Sequence, residues 1–175
     1  MHDKPLVSIL MGGDSDYDVM VEAAKALDQF GIPFEMTVSS AHRTPERTAG
    51  IVRSARERGV KVIIAGAGAA AHLAGVVAAE TVLPVIAVPI DCTSLHGLDA
   101  LLAMVQMPAG IPVATVAIGK AGARNAGLLA VQILALSDAD LTRRLVEFKA
   151  EMAIGVEAKA KSLQKRLEAD FPKAP

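Results

Sequence analysis

Short, mostly apolar runs alternate with helical segments five times along the chain, and this alternation limits the possible folds more than any other feature. Such runs are typical of strands in a parallel sheet that helices cover on both sides. The pattern predicts an α/β fold with one sheet, built as a single domain over residues 1–175 with its core at about 6–136. The predicted strands are 6–11, 33–40, 60–68, 84–90 and 112–118.

The segments between these runs carry start and stop signals of helices. Thr44 and Pro45 predict a helix start, with Thr44 as the N-cap and Pro45 at the first helical position. Ser137 and Asp140 predict a capping box for a long, charged C-terminal helix at about 139–167, which we expect to contact a neighbouring subunit. Further helices are predicted between Gly13 and Gly31 and at 70–80, 98–105 and 122–136.

Hydrophobic residues make up 52% of the chain but aromatic residues only 3%, which predicts an aliphatic, alanine-rich core. The helix at 122–136 is apolar nearly all round, so we expect burial on more than one side, with part of the apolar surface in subunit contacts. Two stretches, 62–79 and 100–119, lack charged side chains. Glycines interrupt the first stretch, and Pro108, Gly110 and Pro112 interrupt the second, so a membrane-spanning helix is not expected.

Charge and cysteine content argue against several classes of function. The formal net charge is -1 and long runs of Lys or Arg are absent, so nucleic acid is not an expected partner. Cys92 is the only cysteine, which excludes an intrachain disulfide and indicates the reducing cytoplasm. The four histidines are scattered without metal-ligand spacing, so no metal site is predicted.

Ligands of open parallel sheets bind beyond the carboxyl ends of the strands, which here are the loops at 12–16, 39–44 and 66–72 and the segment after Pro89. In the first loop, Gly12 and Gly13 let backbone N–H groups approach an anion at a helix start, as in phosphate-binding loops. Asp16 can hydrogen-bond a ribose diol. Taken alone, however, this loop is better explained as a tight turn from strand to helix.

The second loop combines a hydroxyl, an imidazole and a guanidinium at Ser40, His42 and Arg43. Arg43 suits bidentate contact with a phosphate. An imidazole beside a bound phosphate ester can act as a general acid and base, since its reference pKa is about 6.5. The alternative is a polar surface segment at a helix start. The residues alone favour neither interpretation over the other.

The third loop, GAGAAAHLAG, indicates that the backbone approaches a ligand or another helix closely, and the residues alone favour helix packing. His72 is then a histidine at a helix start whose polar groups are satisfied. Cys92 is interpreted as a small buried or loop residue and His96 as a loop residue, because nothing near them in the sequence predicts a nucleophile or a partner.

Five motifs taken together resemble the N5-carboxyaminoimidazole ribonucleotide mutase family of bacterial purine synthesis: MGGDSD, SAHRTP, AGAGAAAHLAG, VQMPAGIPVATVAIG and AGARNAGLLAVQIL. They follow in order from about residue 7 to residue 136. The resemblance implies a flavodoxin-like, three-layer α/β/α domain that assembles as an octamer with active sites between subunits. It also implies an enzyme that binds an aminoimidazole ribonucleotide and uses no metal, nucleotide or organic cofactor.

The reaction of the family is an isomerisation that moves a carboxylate from the exocyclic nitrogen of the substrate to ring carbon C4. By resemblance, His42 matches the catalytic histidine and serves both proton transfers. Ser15, Ser40 and Arg43 match the contacts to the phosphate, and Asp16 matches the contact to the ribose. The complete set of predicted substrate-binding residues is Gly13, Ser15, Asp16, Ser40, Ala41, Arg43, Gly68, Ala69, Ala70, His72 and Leu73.

The chain departs from the family pattern at four positions. Gly13 and Ala100 stand where Ser is usual, and Ala69 and Ala74 replace Gly and Pro in the loop over the base. Two alternatives stay open. One is direct carboxylation of aminoimidazole ribonucleotide with free CO2, the reaction of a sister class that has Lys where this chain has Arg43. The other is a binding module for phosphoribosyl ligands without activity.

Overall fold

The computed structural model describes residues 4–172, in which five parallel strands form one sheet. The strands are β1 Val7–Met11, β2 Phe34–Val38, β3 Val62–Gly68, β4 Val85–Ile90 and β5 Ala114–Thr115. Their order across the sheet is β2-β1-β3-β4-β5, and every neighbouring pair is parallel. Met11 pairs with both Val38 and Gly66, so the loops that follow the first three strands leave the sheet side by side.

Six α-helices occur in the described part of the chain, and a 3-10 turn at Asp14–Asp16 precedes the first of them. Helices pack on both sides of the sheet in a three-layer, flavodoxin-like arrangement, which confirms the predicted fold class. The helices are α1 Tyr17–Gln29, α2 Pro45–Ala55, α3 Leu73–Ala79, α4 Leu98–Val105, α5 Gly119–Ala135 and α6 Ala139–Asp170.

The core is aliphatic, as the composition predicts. Leu10, Ile63, Ile64 and Ile86 on the central strands are completely buried, and small alanines fill the space between sheet and helices. The edge strand β2 is only partly buried along its length, so burial on both faces holds for the central strands and not for β2.

Residues up to Leu134 form one compact unit, and residues from Ala135 onward form a second unit that contains α6. The single domain predicted for residues 1–175 and the subunit contact of its final helix stay predictions. In α5, the buried side chains include Ala123, Ala126 and Ala130, and burial of its other sides in subunit contacts is likewise still a prediction.

Three predicted element boundaries differ clearly from the structure. The third helix begins at Leu73 instead of residue 70, and Ala69, just before the predicted start, adopts a left-handed backbone with φ of 52°. The fifth strand covers only Ala114–Thr115, and Pro112 within its predicted range has no N–H to donate to the sheet. The fifth helix begins at Gly119, a few residues earlier than residue 122.

Of two predicted helix caps, the position of one is confirmed and the other is wrong. Thr44 occupies the N-cap position of α2, but its hydroxyl does not cap the helix and instead bonds to the backbone of Ser40. At α6 the N-cap is Asp138 rather than Ser137, because the Asp138 carboxylate accepts the N–H of Leu141 at 2.9 Å.

Among residues 4–172, no helix combines the length and the apolar character that are needed to cross a membrane. The same residues contain no cluster of three or more His, Cys, Asp or Glu side chains that could hold a metal ion.

Candidate active site

A cleft of about 380 Å³ opens at the carboxyl edge of the sheet, where the sequence predicts the ligand site. A larger cleft of about 620 Å³ lies around Val82 and Ile111, but none of its lining side chains is ionisable. The first cleft is therefore the candidate site for acid-base chemistry. The cleft at the carboxyl edge is lined by Gly12, Gly13, Ser15, Asp16, Ser40, Ala41, His42, Arg43, Ala67, Gly68, Ala70, Leu73 and Cys92.

The first loop contributes backbone N–H groups and one buried carboxylate. Asp16 is only 7% exposed, and its Oδ2 accepts the N–H of Gly13 at 3.0 Å. Burial raises the pKa of Asp16 above its ordinary value, although hydrogen bonds from the Gly13 and Gly12 N–H groups oppose that rise. The carboxylate thus holds the turn in shape while it faces the cleft.

Gly13 has room for the side chain that the family usually carries at this position. Its φ is -152°, which any residue adopts, and a Cβ there would lie 3.3 Å from the Ser15 Oγ. Because the Ser15 hydroxyl can rotate away, a serine fits here with a small adjustment. Backbone geometry therefore does not require glycine at position 13. Its consequence is chemical, because one hydroxyl that is usual in the family is missing from the site.

The second loop places a guanidinium across the mouth of the first loop. Arg43 donates from Nη2 to the carbonyl oxygen of Gly12 at 3.1 Å and from Nε to the Ser40 Oγ at 3.4 Å. The Ser40 Oγ also accepts the backbone N–H of Arg43 at 3.2 Å. These bonds hold the positive charge beside Gly13 and Ser15, where a phosphate would meet hydroxyls and backbone N–H groups together.

Two histidines form a hydrogen-bonded pair at the cleft. The Nε2 atom of His42 lies 2.8 Å from the Nδ1 atom of His72, and the rings meet edge to face with centroids 4.9 Å apart. One nitrogen must donate and the other must accept, so the proton positions of the two rings are coupled. The sequence suggested both residues separately but not this bond, because they are 30 residues apart.

The third loop brings its backbone against the segment after β4. A Cβ on Gly68 would lie only 2.2 Å from the Sγ of Cys92 and 3.0 Å from the carbonyl oxygen of Ile90. In the same motif, a Cβ on Gly66 would lie 2.1 Å from the Sδ of Met20 in α1, so the glycine-rich motif approaches both a helix and the segment after β4. Ala69, beside Gly68, is in the left-handed conformation described above.

Ten of the twelve predicted site residues line the cleft, and Ala69 and His72 do not. His72 reaches the site through its bond to His42, while Ala69 lies in the exposed turn of the third loop. The functional roles of all twelve residues stay predictions.

Sequence reasoning missed Cys92 as part of the site. Its side chain is exposed and lines the cleft, whereas the sequence predicts a small buried or loop residue. The useful signal is its place two residues after the fourth strand, in the segment after Pro89 at the same edge of the sheet as the three loops. His96 remains a loop residue, with its Nδ1 at 3.8 Å from an Asp91 carboxylate oxygen.

Comparisons with known proteins point to one enzyme family. The family model described as AIR carboxylase matches residues 6–154. The N5-carboxyaminoimidazole ribonucleotide mutase of Pyrococcus horikoshii is 56% identical over 93% of this chain and 90% of its own length. The protein of the same name from Bacillus subtilis is 58% identical over 82% of this chain and 89% of its own. The crystal structure of Treponema denticola PurE matches with a TM-score of 0.76 and 32% identity, over 89% of this chain and 98% of that one.

Proposed function

The chain belongs to the AIR carboxylase family, and on that premise we propose that it is an enzyme that converts N5-carboxyaminoimidazole ribonucleotide to 4-carboxy-5-aminoimidazole ribonucleotide in purine biosynthesis. The observation that carries the proposal is the hydrogen-bonded His42–His72 pair at the cleft, with the Arg43 guanidinium beside it. An anion-binding group next to an imidazole whose partner can supply or accept a proton suits proton transfer on a phosphorylated substrate.

In the first half of the reaction, the exocyclic N–C bond of the carbamate breaks. His42 donates a proton to that nitrogen, which keeps the electron pair of the broken bond, and CO2 is released. The hydrogen bond to His72 sets which nitrogen of His42 carries the proton, because one ring of the pair must donate to the other.

In the second half, ring carbon C4 of the enamine-like aminoimidazole forms a bond to the released CO2. The proton on C4 then passes to His42, which restores the imidazole for the next cycle. Atoms and charge balance within one substrate molecule, so no oxidant or nucleotide is consumed. Keeping CO2 in the cleft raises its local concentration and makes recapture faster than escape.

Substrate binding divides between the first two loops. The phosphate is bound by Arg43, Ser40, Ser15 and the N–H groups near Gly13, and the Asp16 carboxylate accepts a hydrogen bond from the ribose. Asp16 keeps Oδ2 for the Gly13 N–H, which leaves its other oxygen for the ribose. The backbone of residues 68–73 surrounds the base and the migrating carboxylate.

The protein acts in the cytoplasm as a homo-oligomer, and the proposed assembly is an octamer. Exposed apolar side chains on α4 support an assembly, since Leu98, Leu102 and Val105 are each about half exposed, at 51%, 48% and 51%. The α6 helix, which is exposed along its whole C-terminal half, contacts a neighbouring subunit. Light scattering at micromolar concentration checks the assembly, and a monomer mass contradicts it.

The activity is tested by supplying each candidate substrate separately and following the C4-carboxylated product. We expect product from the carbamate without added bicarbonate, ATP, biotin or metal, and no inhibition by chelators. Product from aminoimidazole ribonucleotide and bicarbonate alone would assign the chain to the sister carboxylase class. Binding without turnover of either compound would identify an inactive binding module.

A further inference from the structure

A buried pair of hydroxyls lies beneath the second loop, outside the motifs that carry the family resemblance. Ser39 and Thr48 are each 0% exposed, and their side-chain oxygens are 2.8 Å apart. Thr48 lies on the buried face of α2 with Val52 and Ala55, whose side chains are aliphatic. Burying a hydroxyl costs free energy unless it is hydrogen-bonded, so the pair calls for a reason other than packing.

The hydrogen atoms of the pair form a directed chain. Each hydroxyl has one hydrogen to donate. The Thr48 Oγ1 lies 3.2 Å from the carbonyl oxygen of Thr44 and donates to it, so the Ser39 hydroxyl donates to Thr48. The reverse direction would leave the Ser39 hydrogen without an acceptor among the described residues.

This chain of bonds joins the two ends of the loop that carries His42 and Arg43. Ser39 is the first residue of the loop, and its N–H donates to the carbonyl oxygen of Met11 in β1 at 2.8 Å. Thr44 ends the loop at the start of α2. The buried pair therefore sets the distance between the sheet and the first turn of α2.

We propose that Ser39 and Thr48 are positioning residues, which hold His42 and Arg43 in register over the cleft. Neither residue lines the cleft, so both act only through the loop above them. The inference rests on the proposed function for its kinetic test. In structural terms, the buried Ser39–Thr48 hydrogen bond positions the second loop, and general packing of α2 does not.

The first test compares three substitutions in α2. Thr48→Val keeps the shape but removes the hydroxyl, and Thr48→Ser keeps the hydroxyl. Val52→Ala, one turn further along the same buried face, is the control for lost packing. Because small displacements of catalytic groups cost large factors in rate, we expect kcat/KM to fall at least about tenfold in Thr48→Val. We expect Thr48→Ser and Val52→Ala to stay within about twofold of wild type, even though Val52→Ala lowers the Tm.

The second test does not depend on turnover. In protein labelled with ¹⁵N-histidine, the ring signals of His42 are identified by their loss in His42→Asn. We expect these signals to shift in Thr48→Val and to stay unchanged in Val52→Ala. If Thr48→Val does not fold, Ser39→Ala takes its place with the same expectation, since it breaks the same bond.

These measurements separate the two proposals. A wild-type protein that turns over neither substrate rejects the proposed function, while the His42 signals still decide the positioning role. Unchanged His42 signals in the folded Thr48→Val or Ser39→Ala protein overturn the positioning role. Equal changes in Val52→Ala overturn it as well, because general packing of α2 would then explain them.

Discussion

Replacing Arg43 by alanine is expected to weaken substrate binding while leaving the fold intact. Among residues 4–172, the exposed guanidinium bonds to the Gly12 carbonyl and the Ser40 hydroxyl, so its removal opens no cavity in the core. Of its five N–H donors, these bonds use one on Nε and one on Nη2, which leaves three free for a phosphate. A bidentate contact is therefore available without rearrangement of the loop.

The magnitude follows from the type of contact. A hydrogen bond to a charged group contributes about 1.5–3 kcal/mol, which corresponds to a roughly 10- to 150-fold rise in KM and Kd. Arg43→Lys keeps the charge but loses the planar fork, so we expect it to fall between wild type and Arg43→Ala. Because the contact is made equally before and during the reaction, kcat should change far less than KM.

The assay combines steady-state kinetics with calorimetric binding of the product ribonucleotide at several salt concentrations. Wild type should lose affinity as salt rises, and Arg43→Ala should lose much less, since its phosphate contact is already gone. A thermal melt checks that both variants fold. Unchanged KM and Kd in Arg43→Ala would show that the phosphate binds elsewhere and would refute this assignment of the second loop.

Three other substitutions probe the rest of the site. His42→Asn should keep product affinity but lower kcat at least about a hundredfold in the turnover assay, and near-normal kcat would remove the imidazole from the mechanism. Gly68→Ala should lower the Tm, because its Cβ would lie 2.2 Å from the Cys92 Sγ. Adding Cys92→Ala should recover part of that loss. A Tm equal to wild type in the single variant contradicts this packing. Asp16→Asn should raise the Tm at pH 7, because the raised pKa of Asp16 means that its charged form destabilises the folded state. That gain should vanish below about pH 3, where the carboxyl is neutral in both folded and unfolded chains, and a gain that persists in acid would refute the electrostatic cause.

Much of the fold follows from local patterns in the sequence. Within the predicted strand 60–68, residues 62–68 are apolar on both faces and end in glycine, which predicts a buried parallel strand wherever the rest of the chain goes. Thr44 and Pro45 place a helix start for a similarly local reason, since Pro45 needs no N–H partner there. Cap details were less predictable, because Asp138 and Ser137 are adjacent and equally suited to the N-cap position.

Other features of the site depend on which strands are neighbours. The order β2-β1-β3 brings the second and third loops together, and only then can His42 and His72 share a hydrogen bond at 2.8 Å. The pairing of β3 with β4 likewise brings Cys92 against Gly68.

The sequence by itself determined the parallel α/β architecture and the edge of the sheet where the ligand site lies, because burial and turn preferences act over a few residues. The tertiary structure alone decided the His42–His72 bond, the place of Cys92 in the cleft and the Ser39–Thr48 pair beneath the loop. Each of these is a contact between distant segments, and its geometry exists only after strand order and helix packing have brought both segments together.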